Sequence, residues 1–151
     1  MKYHGCNSEF QQERTNDLLK AYIALAKKIN RISQPKMFET VANSPAPRFY
    51  VSAARAATVV AEIERGSSLS HMRPNKRDMF MEIHRRTMIF RTVHRFTPLY
   101  QIVEQIITQP APKFYISASS ARIAILSARK EYRRERMEAI RQTALKIHHK
   151  T

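Results

Sequence analysis

The chain has 151 residues and only two glycines, which argues against a turn-rich β fold and against a glycine-rich phosphate loop. Hydrophobic residues make up 43% of it, so it can bury a core and is not disordered by composition. The formal charge of +15, from 27 Lys and Arg against 12 Asp and Glu, favours a polyanionic partner, and nucleic acid is the commonest one.

The first predicted elements are a long helix and a short one. Apolar residues at helical spacing predict a helix from about Glu9 to Ile32, followed by a short helix near residues 37–42. Residues 45–52 then read Pro-Ala-Pro-Arg-Phe-Tyr-Val-Ser. The prolines fix φ and lack a donor, which predicts a stiff extended turn, and Ser52 is a suitable N-cap for the next helix.

After a Ser-containing linker at residues 67–75, the same series of predicted elements recurs. A long helix is predicted from Asn75, as N-cap, to about Phe96. A short one follows from Pro98 to Thr108, and then a second proline-stiffened turn. Ser117 is predicted to cap a last helix that continues without a breaker to about residue 149.

An internal repeat explains this recurrence. Residues 44–53 and 109–118 are 65 positions apart and identical at seven of ten positions. The sequence therefore predicts an all-α fold of two tandem helix-turn-helix-like three-helix units, with a long basic C-terminal helix. The predicted division is 8–66 for the first repeat, 67–75 for the linker and 76–151 for the second repeat.

Each turn contains a Phe-Tyr pair with two possible uses. Phe49 and Phe114 are expected in the core, because phenylalanine is usually buried. Tyr50 and Tyr115 fit either packing or stacking on a nucleic-acid base.

Positive charge is concentrated in the second half of the chain. Residues 1–75 carry 11 basic and 6 acidic residues, whereas residues 76–151 carry 16 and 6. Cations of the turns and of the helices that follow are predicted to contact phosphates. Those of the fourth helix and of the Arg129–Arg136 run are predicted to form a basic surface on the second repeat. The predicted contacts are Arg48, Arg55, Arg77, Arg91, Arg95, Lys113, Arg122, Arg129, Lys130, Arg133, Arg134 and Arg136.

Motifs for catalysis are not found in the sequence. The six histidines fall in no recognised metal-binding pattern, and the single cysteine, Cys6, has no evident base beside it. We therefore expect no enzyme activity, no metal and no cofactor. The chain has no signal peptide and no transmembrane stretch, which with the lone cysteine predicts a cytoplasmic protein without a membrane partner.

The segment 73–80 and the two turn motifs, at residues 45–52 and 109–117, resemble a group of small uncharacterised all-helical proteins from Bacteroidota and their phages or mobile elements. The resemblance implies a bacterial or phage-infected cell, and it carries no site residues across.

Charge on a repeated helical scaffold predicts a non-enzymatic nucleic-acid-binding protein, with DNA favoured over RNA. The alternative is a phage or mobile-element structural component that docks on a protein partner, or on a second copy, through residues 117–149.

Overall fold

The structure, a computed structural model, describes residues 7–29 and 34–150. Six α-helices and no strand are found within these residues, which confirms the predicted all-α fold with a long C-terminal helix. The predicted end of the first helix, near Ile32, lies outside the described residues. The helices are α1 (Asn7–Lys28), α2 (Gln34–Ala42), α3 (Ala53–Glu64), α4 (Pro74–Val93), α5 (Leu99–Ile107) and α6 (Ala118–His148).

The helices that follow the two turns begin where the serines predict. Ser52 Oγ accepts a hydrogen bond from the Arg55 backbone N–H at 3.2 Å, and Ser117 Oγ accepts one from Ser120 N–H at 3.1 Å. Bonds of this kind satisfy a backbone donor that the first helical turn leaves without a partner. Both N-cap predictions are therefore confirmed.

The start of α4 differs from the prediction. The sequence predicts Asn75 as the N-cap, but the helix begins at Pro74 and its N-cap is Arg73, which makes no side-chain cap bond. Proline suits the first helical position because its φ is already close to the helical value and that position needs no N–H. The helix also ends at Val93, earlier than the predicted Phe96.

The two turns lie antiparallel to each other. Ala46 and Ala111 exchange both backbone hydrogen bonds, at 3.0 and 2.9 Å. These residues are 65 positions apart, and a shift of 65 positions also relates the two hydrogen bonds that flank them, so the repeats are related by an approximate twofold axis. The two flanking bonds run from Phe49 N–H to Ile107 O at 3.0 Å and from Phe114 N–H to Ala42 O at 3.1 Å.

The third helix of each repeat packs on the first two helices of the other repeat. In the described chain, α6 lies against α1 and α2, and α3 lies against α4 and α5. The helices on either side of each turn do not pack on each other, as those of a helix-turn-helix unit would. The helix-turn-helix part of the prediction is therefore not confirmed, and the two repeats are interlocked.

Buried side chains of both repeats form one hydrophobic core. Phe49 and Phe114 are 1% and 3% exposed, which confirms their predicted core role. The Phe49 ring stacks on Tyr115 with centroids 6.1 Å apart, and Phe114 stacks on Tyr50 at 6.0 Å. The repeats thus share an aromatic centre around the axis.

The predicted linker at residues 67–75 also contributes to this core. Leu69 is fully buried, and its backbone has a φ of 53°, in the left-handed region that side chains other than glycine rarely adopt. Its N–H donates to Ser67 Oγ at 3.2 Å. The connection between the repeats is therefore an ordered, packed segment.

Candidate nucleic-acid interface

The last helix has buried or half-buried side chains only in its first part, up to Arg129. Every residue from Lys130 to Lys150 is exposed. At a rise of 1.5 Å per residue, the helical part of this segment is about 28 Å long. We call residues 130–150 the α6 extension.

Charge on the α6 extension is strongly biased. It contains seven Lys and Arg against three Glu. Lys130, Arg134 and Arg141 share one helix face by their spacing, whereas Glu131 and Glu135 line a groove between α6 and α1. Arg134 lies 3.8 Å from Glu131 but is 80% exposed, so this ion pair is loose.

Two of the predicted phosphate contacts are used within the protein body. Arg48 lies 3.7 Å from Glu13, and its Nε donates to the Phe49 carbonyl at 3.1 Å. Arg91 forms a hydrogen-bonded ion pair with Glu64. These two guanidinium groups face carboxylates of the protein and so are less available to a phosphate.

Two other predicted contacts lie over aromatic rings. The Lys113 Nζ is 5.3 Å from the centroid of the Tyr115 ring, and the Arg129 Cζ is 5.5 Å from that of Tyr22. Cations at this distance are attracted by the negative face of the ring. Their local role is therefore packing against the body.

The remaining predicted contacts are mainly surface cations. α6 packs on α1 and α2 and not on α4, so the single basic surface expected on the second repeat stays a prediction. Arg77 is half-buried. The exposed members of the set are Arg55, Arg95, Arg122, Lys130, Arg133, Arg134 and Arg136.

Tyr50 and Tyr115, the tyrosines of the two turns, are half-buried and pack against other side chains of the protein. The Tyr50 hydroxyl donates to Asp17 Oδ2 at 2.6 Å, and burial together with this bond raises the pKa of Tyr50. Burial raises the pKa of Tyr115 to about 12. Since each ring stacks on a phenylalanine of the other turn, packing is the role that the structure shows.

A second basic site was not predicted from the sequence. A groove of about 630 Å³ opens between the amino-terminal parts of α1 and α4, and its lining includes Arg14, Arg73 and Lys76. None of its lining residues in the described chain is Asp or Glu. In the sequence Arg14 is one of many helix-surface cations, Arg73 lies in the predicted linker and Lys76 at the start of the predicted fourth helix, so no local signal brings them together.

The position of this groove follows from the symmetry of the fold. Four pairs of lining residues are 65 positions apart, so the groove lies on the approximate twofold axis, and we call it the axial groove. The pairs are Phe10 with Asn75, Gln11 with Lys76, Arg14 with Met79, and Tyr50 with Tyr115.

Other kinds of site have little support in the described chain. Its residues include no group of three or more His, Cys, Asp or Glu side chains that could hold a metal ion. No helix among them is both long enough and apolar enough to cross a bilayer. Comparisons with protein-family models, curated proteins and solved structures find no match for this chain.

Proposed function

We propose that this protein binds nucleic acid through phosphate contacts made mainly by the α6 extension. The observation that carries this proposal is an exposed helix with seven basic and three acidic residues, attached to a body that uses several of its other arginines internally. Like charges along such a helix repel each other. A polyanion would relieve that repulsion and release counterions.

The shape of the α6 extension favours duplex DNA over duplex RNA. An α-helix with its side chains is about 10–12 Å across, which matches the width of about 12 Å of the major groove of B-DNA. The major groove of A-form RNA is too narrow for side chains to read. Arginine and lysine contacts from a lone helix would position the protein on the phosphates, with no base preference implied.

The proposal is tested with a matched pair of charge variants. Lys130, Arg134 and Arg141 are all changed to Gln in one variant, and the exposed Lys20, Lys27 and Lys28 of α1 are changed to Gln in the control, so both lose three charges. Binding to a 20-base-pair DNA duplex, and to the same duplex as RNA, is measured by fluorescence anisotropy from 50 to 300 mM salt.

We expect the wild-type protein to bind DNA with a steep salt dependence. The α6 variant should lose at least about tenfold in affinity, and the slope of log K against log salt should fall by about 2–3, since each neutralised phosphate contributes about 0.9. The α1 variant should change much less. Absence of binding at 50 mM salt would overturn the proposal, and equal losses in the two variants would overturn the assignment to the α6 extension.

A protein-interaction role is the second candidate function, in line with a structural component of a phage or mobile element. It is favoured by the apolar side chains that the α6 extension exposes at 55–65%: Tyr132, Met137, Ile140, Leu145 and Ile147. A chain ending at Arg129 discriminates. In this role the full chain is an oligomer by light scattering and the shortened chain a monomer. Under the leading proposal both have the same oligomeric state, and only DNA affinity falls.

A further inference from the structure

Beyond the α6 extension, the axial groove is the most unusual surface of the described chain. It is concave, and all of its charged lining residues are cations: Arg14, Arg73 and Lys76. The neighbouring groove between α1 and α6, of similar size, contains Glu131 and Glu135 besides Arg14. Of these two grooves, only the axial groove is lined by cations without a carboxylate.

Arg14 has no carboxylate partner among the described side chains. Its Nε is buried and has no hydrogen-bond partner, and desolvation by burial lowers the pKa of Arg14. The two nearby acidic residues of α1 are engaged elsewhere, Glu13 by Arg48 and Asp17 by Tyr50. An arginine remains charged in proteins, so Arg14 lines the groove as a cation without an internal counterion, and an anion bound there would supply one.

The first turn of α4 adds uncapped donors to the same groove. Its N-cap, Arg73, makes no side-chain cap bond, and Pro74, Asn75 and Lys76 all line the groove. The first backbone N–H of α4 that bonds within the helix is that of Arg77. The N–H groups of Asn75 and Lys76 are thus at the positive end of the helix macrodipole, where anions bind.

Aromatic and apolar side chains form most of the rest of the groove, beside the polar Gln11, Ser117 and Ser120. The aromatic and apolar side chains include Phe10, Tyr50, Met79, Phe114 and Tyr115. A volume of about 630 Å³ is far larger than one phosphate group needs and falls in the range of pockets for small organic ligands. The lining therefore suits a ligand with an anionic group and a flat apolar body.

We infer that the axial groove binds a nucleoside monophosphate unit, with its phosphate on Arg14, Lys76 and the first turn of α4 and its base against the aromatic wall. The same chemistry is found in a free nucleotide and in the 5′-phosphorylated end of a nucleic-acid strand. This site is separate from the α6 extension and does not depend on the function proposed for it.

Calorimetry with AMP, adenosine and inorganic phosphate tests the inference on the full chain. We expect AMP to bind at least tenfold more tightly than adenosine, which lacks the phosphate, and more tightly than inorganic phosphate, which lacks the base. Equal binding of AMP and adenosine, or no binding of AMP at low salt, would overturn the anion site. Equal binding of AMP and inorganic phosphate would overturn the nucleoside part.

Variants assign the binding to the groove. Arg14→Gln should weaken AMP binding by about tenfold or more, as expected for loss of a charge-assisted hydrogen bond. Arg55→Gln, an exposed position on α3 outside the groove, is the matched control and should have little effect. Equal effects of the two variants would contradict the assignment to the groove. Lys76→Gln is a second, exposed groove variant, which makes the same test without altering a buried atom.

The stability of the free protein provides an independent readout. Because the Arg14 Nε is buried without a partner, Arg14→Met should leave the thermal midpoint unchanged or raise it, while AMP binding falls. A midpoint that falls by many degrees would show that Arg14 is a structural residue and would contradict the inference.

Two further binding measurements are needed. One distinguishes a free nucleotide from a strand end as the ligand, and the other distinguishes the axial groove from the α6 extension. A single-stranded 12-mer with a 5′ phosphate is compared with the same strand ending in a hydroxyl, and a preference of at least fivefold for the phosphate identifies strand ends as ligands. With no preference, the free nucleotide is the ligand. The Lys130, Arg134 and Arg141 variant should bind AMP as the wild type does, so failure at the α6 extension and failure at the groove give different results.

Discussion

Tyr50 and Tyr115 are equivalent residues of the two turns, yet their hydroxyl groups have different surroundings. The Tyr50 hydroxyl donates to Asp17 at 2.6 Å. The equivalent carboxylate of the second repeat, Glu82, instead accepts hydrogen bonds from Arg85 and Arg86. These bonds, with that from Arg85 first, lower the pKa of Glu82. A local exchange of partners therefore breaks the symmetry of the repeats.

This difference predicts unequal effects of two conservative variants. Tyr50→Phe should lower the free energy of unfolding by about 1 kcal/mol or somewhat more, because it leaves the Asp17 carboxylate without this donor. Tyr115→Phe should cost less, since its hydroxyl forms no side-chain hydrogen bond with the described residues 7–29 and 34–150. Urea unfolding at pH 7 measures both, and a larger loss for Tyr115→Phe would contradict the assigned roles.

The same tyrosines predict a loss of stability at alkaline pH. Burial raises the pKa of Tyr115 from 10.0 to about 12 and also raises that of Tyr50. The unfolded chain then loses these protons before the folded chain does, so their contribution is complete below about pH 10 and decreases as the pH rises towards 12.

Urea unfolding of the wild type and of the Tyr50→Phe, Tyr115→Phe double variant at pH 9 and pH 11.5 checks this sign. The wild type should lose more stability between the two conditions than the double variant. An equal loss would show that other groups, such as the many lysines, determine the alkaline response.

At the scale of single elements, α6 is two segments joined in one helix. Its first part is anchored by Ala121 and Ile125, both fully buried. The α6 extension has no buried residue, and helices that lack tertiary packing are marginal in water. Its lifetime as a helix therefore depends on local propensity and on any partner.

Hydrogen exchange should resolve the two parts of α6. Amides of residues 121–129 are expected to be protected, whereas those of the α6 extension should exchange at least tenfold faster because they can open without disturbing the core. Saturating DNA should slow exchange in the α6 extension. Uniform protection along α6 in the free monomer would contradict this description.

At the scale of the whole molecule, the interlocked repeats make each half incomplete. α3 has its packing partners in the second repeat and α6 has its partners in the first. Gly66, exposed and at a φ of 100°, connects the halves beside the end of α3. The pairing of the turns adds backbone bonds between them.

A chain divided after Gly66 should therefore reassemble. We expect residues 1–66 and 67–151 to co-purify as a one-to-one complex when expressed together, with the helical circular dichroism of the intact protein. Each half alone should have less helix or should associate with itself, because its third helix lacks a surface to pack on. A folded monomeric half would contradict the interlocked packing.

The sequence by itself determined the local features of this protein. The absence of glycine from helix interiors, the apolar spacing and the paired prolines were sufficient for an all-α fold and for both turns. Ser52 and Ser117 were identified as N-caps because capping depends on residues within one turn. The prediction of Asn75 as an N-cap was wrong because Pro74, the residue before it, occupies the first helical position, which suits proline.

Only the tertiary structure decided which surfaces meet. Apolar periodicity shows which face of a helix is buried but not what covers it, so the exchange of α3 and α6 between the repeats could not be read from it. For the same reason the ion pair of Arg48 could not be predicted, since Arg48 lies in the first turn and its partner Glu13 in α1. The axial groove combines Arg14 with the start of α4 only because the twofold packing of the repeats brings those distant segments together.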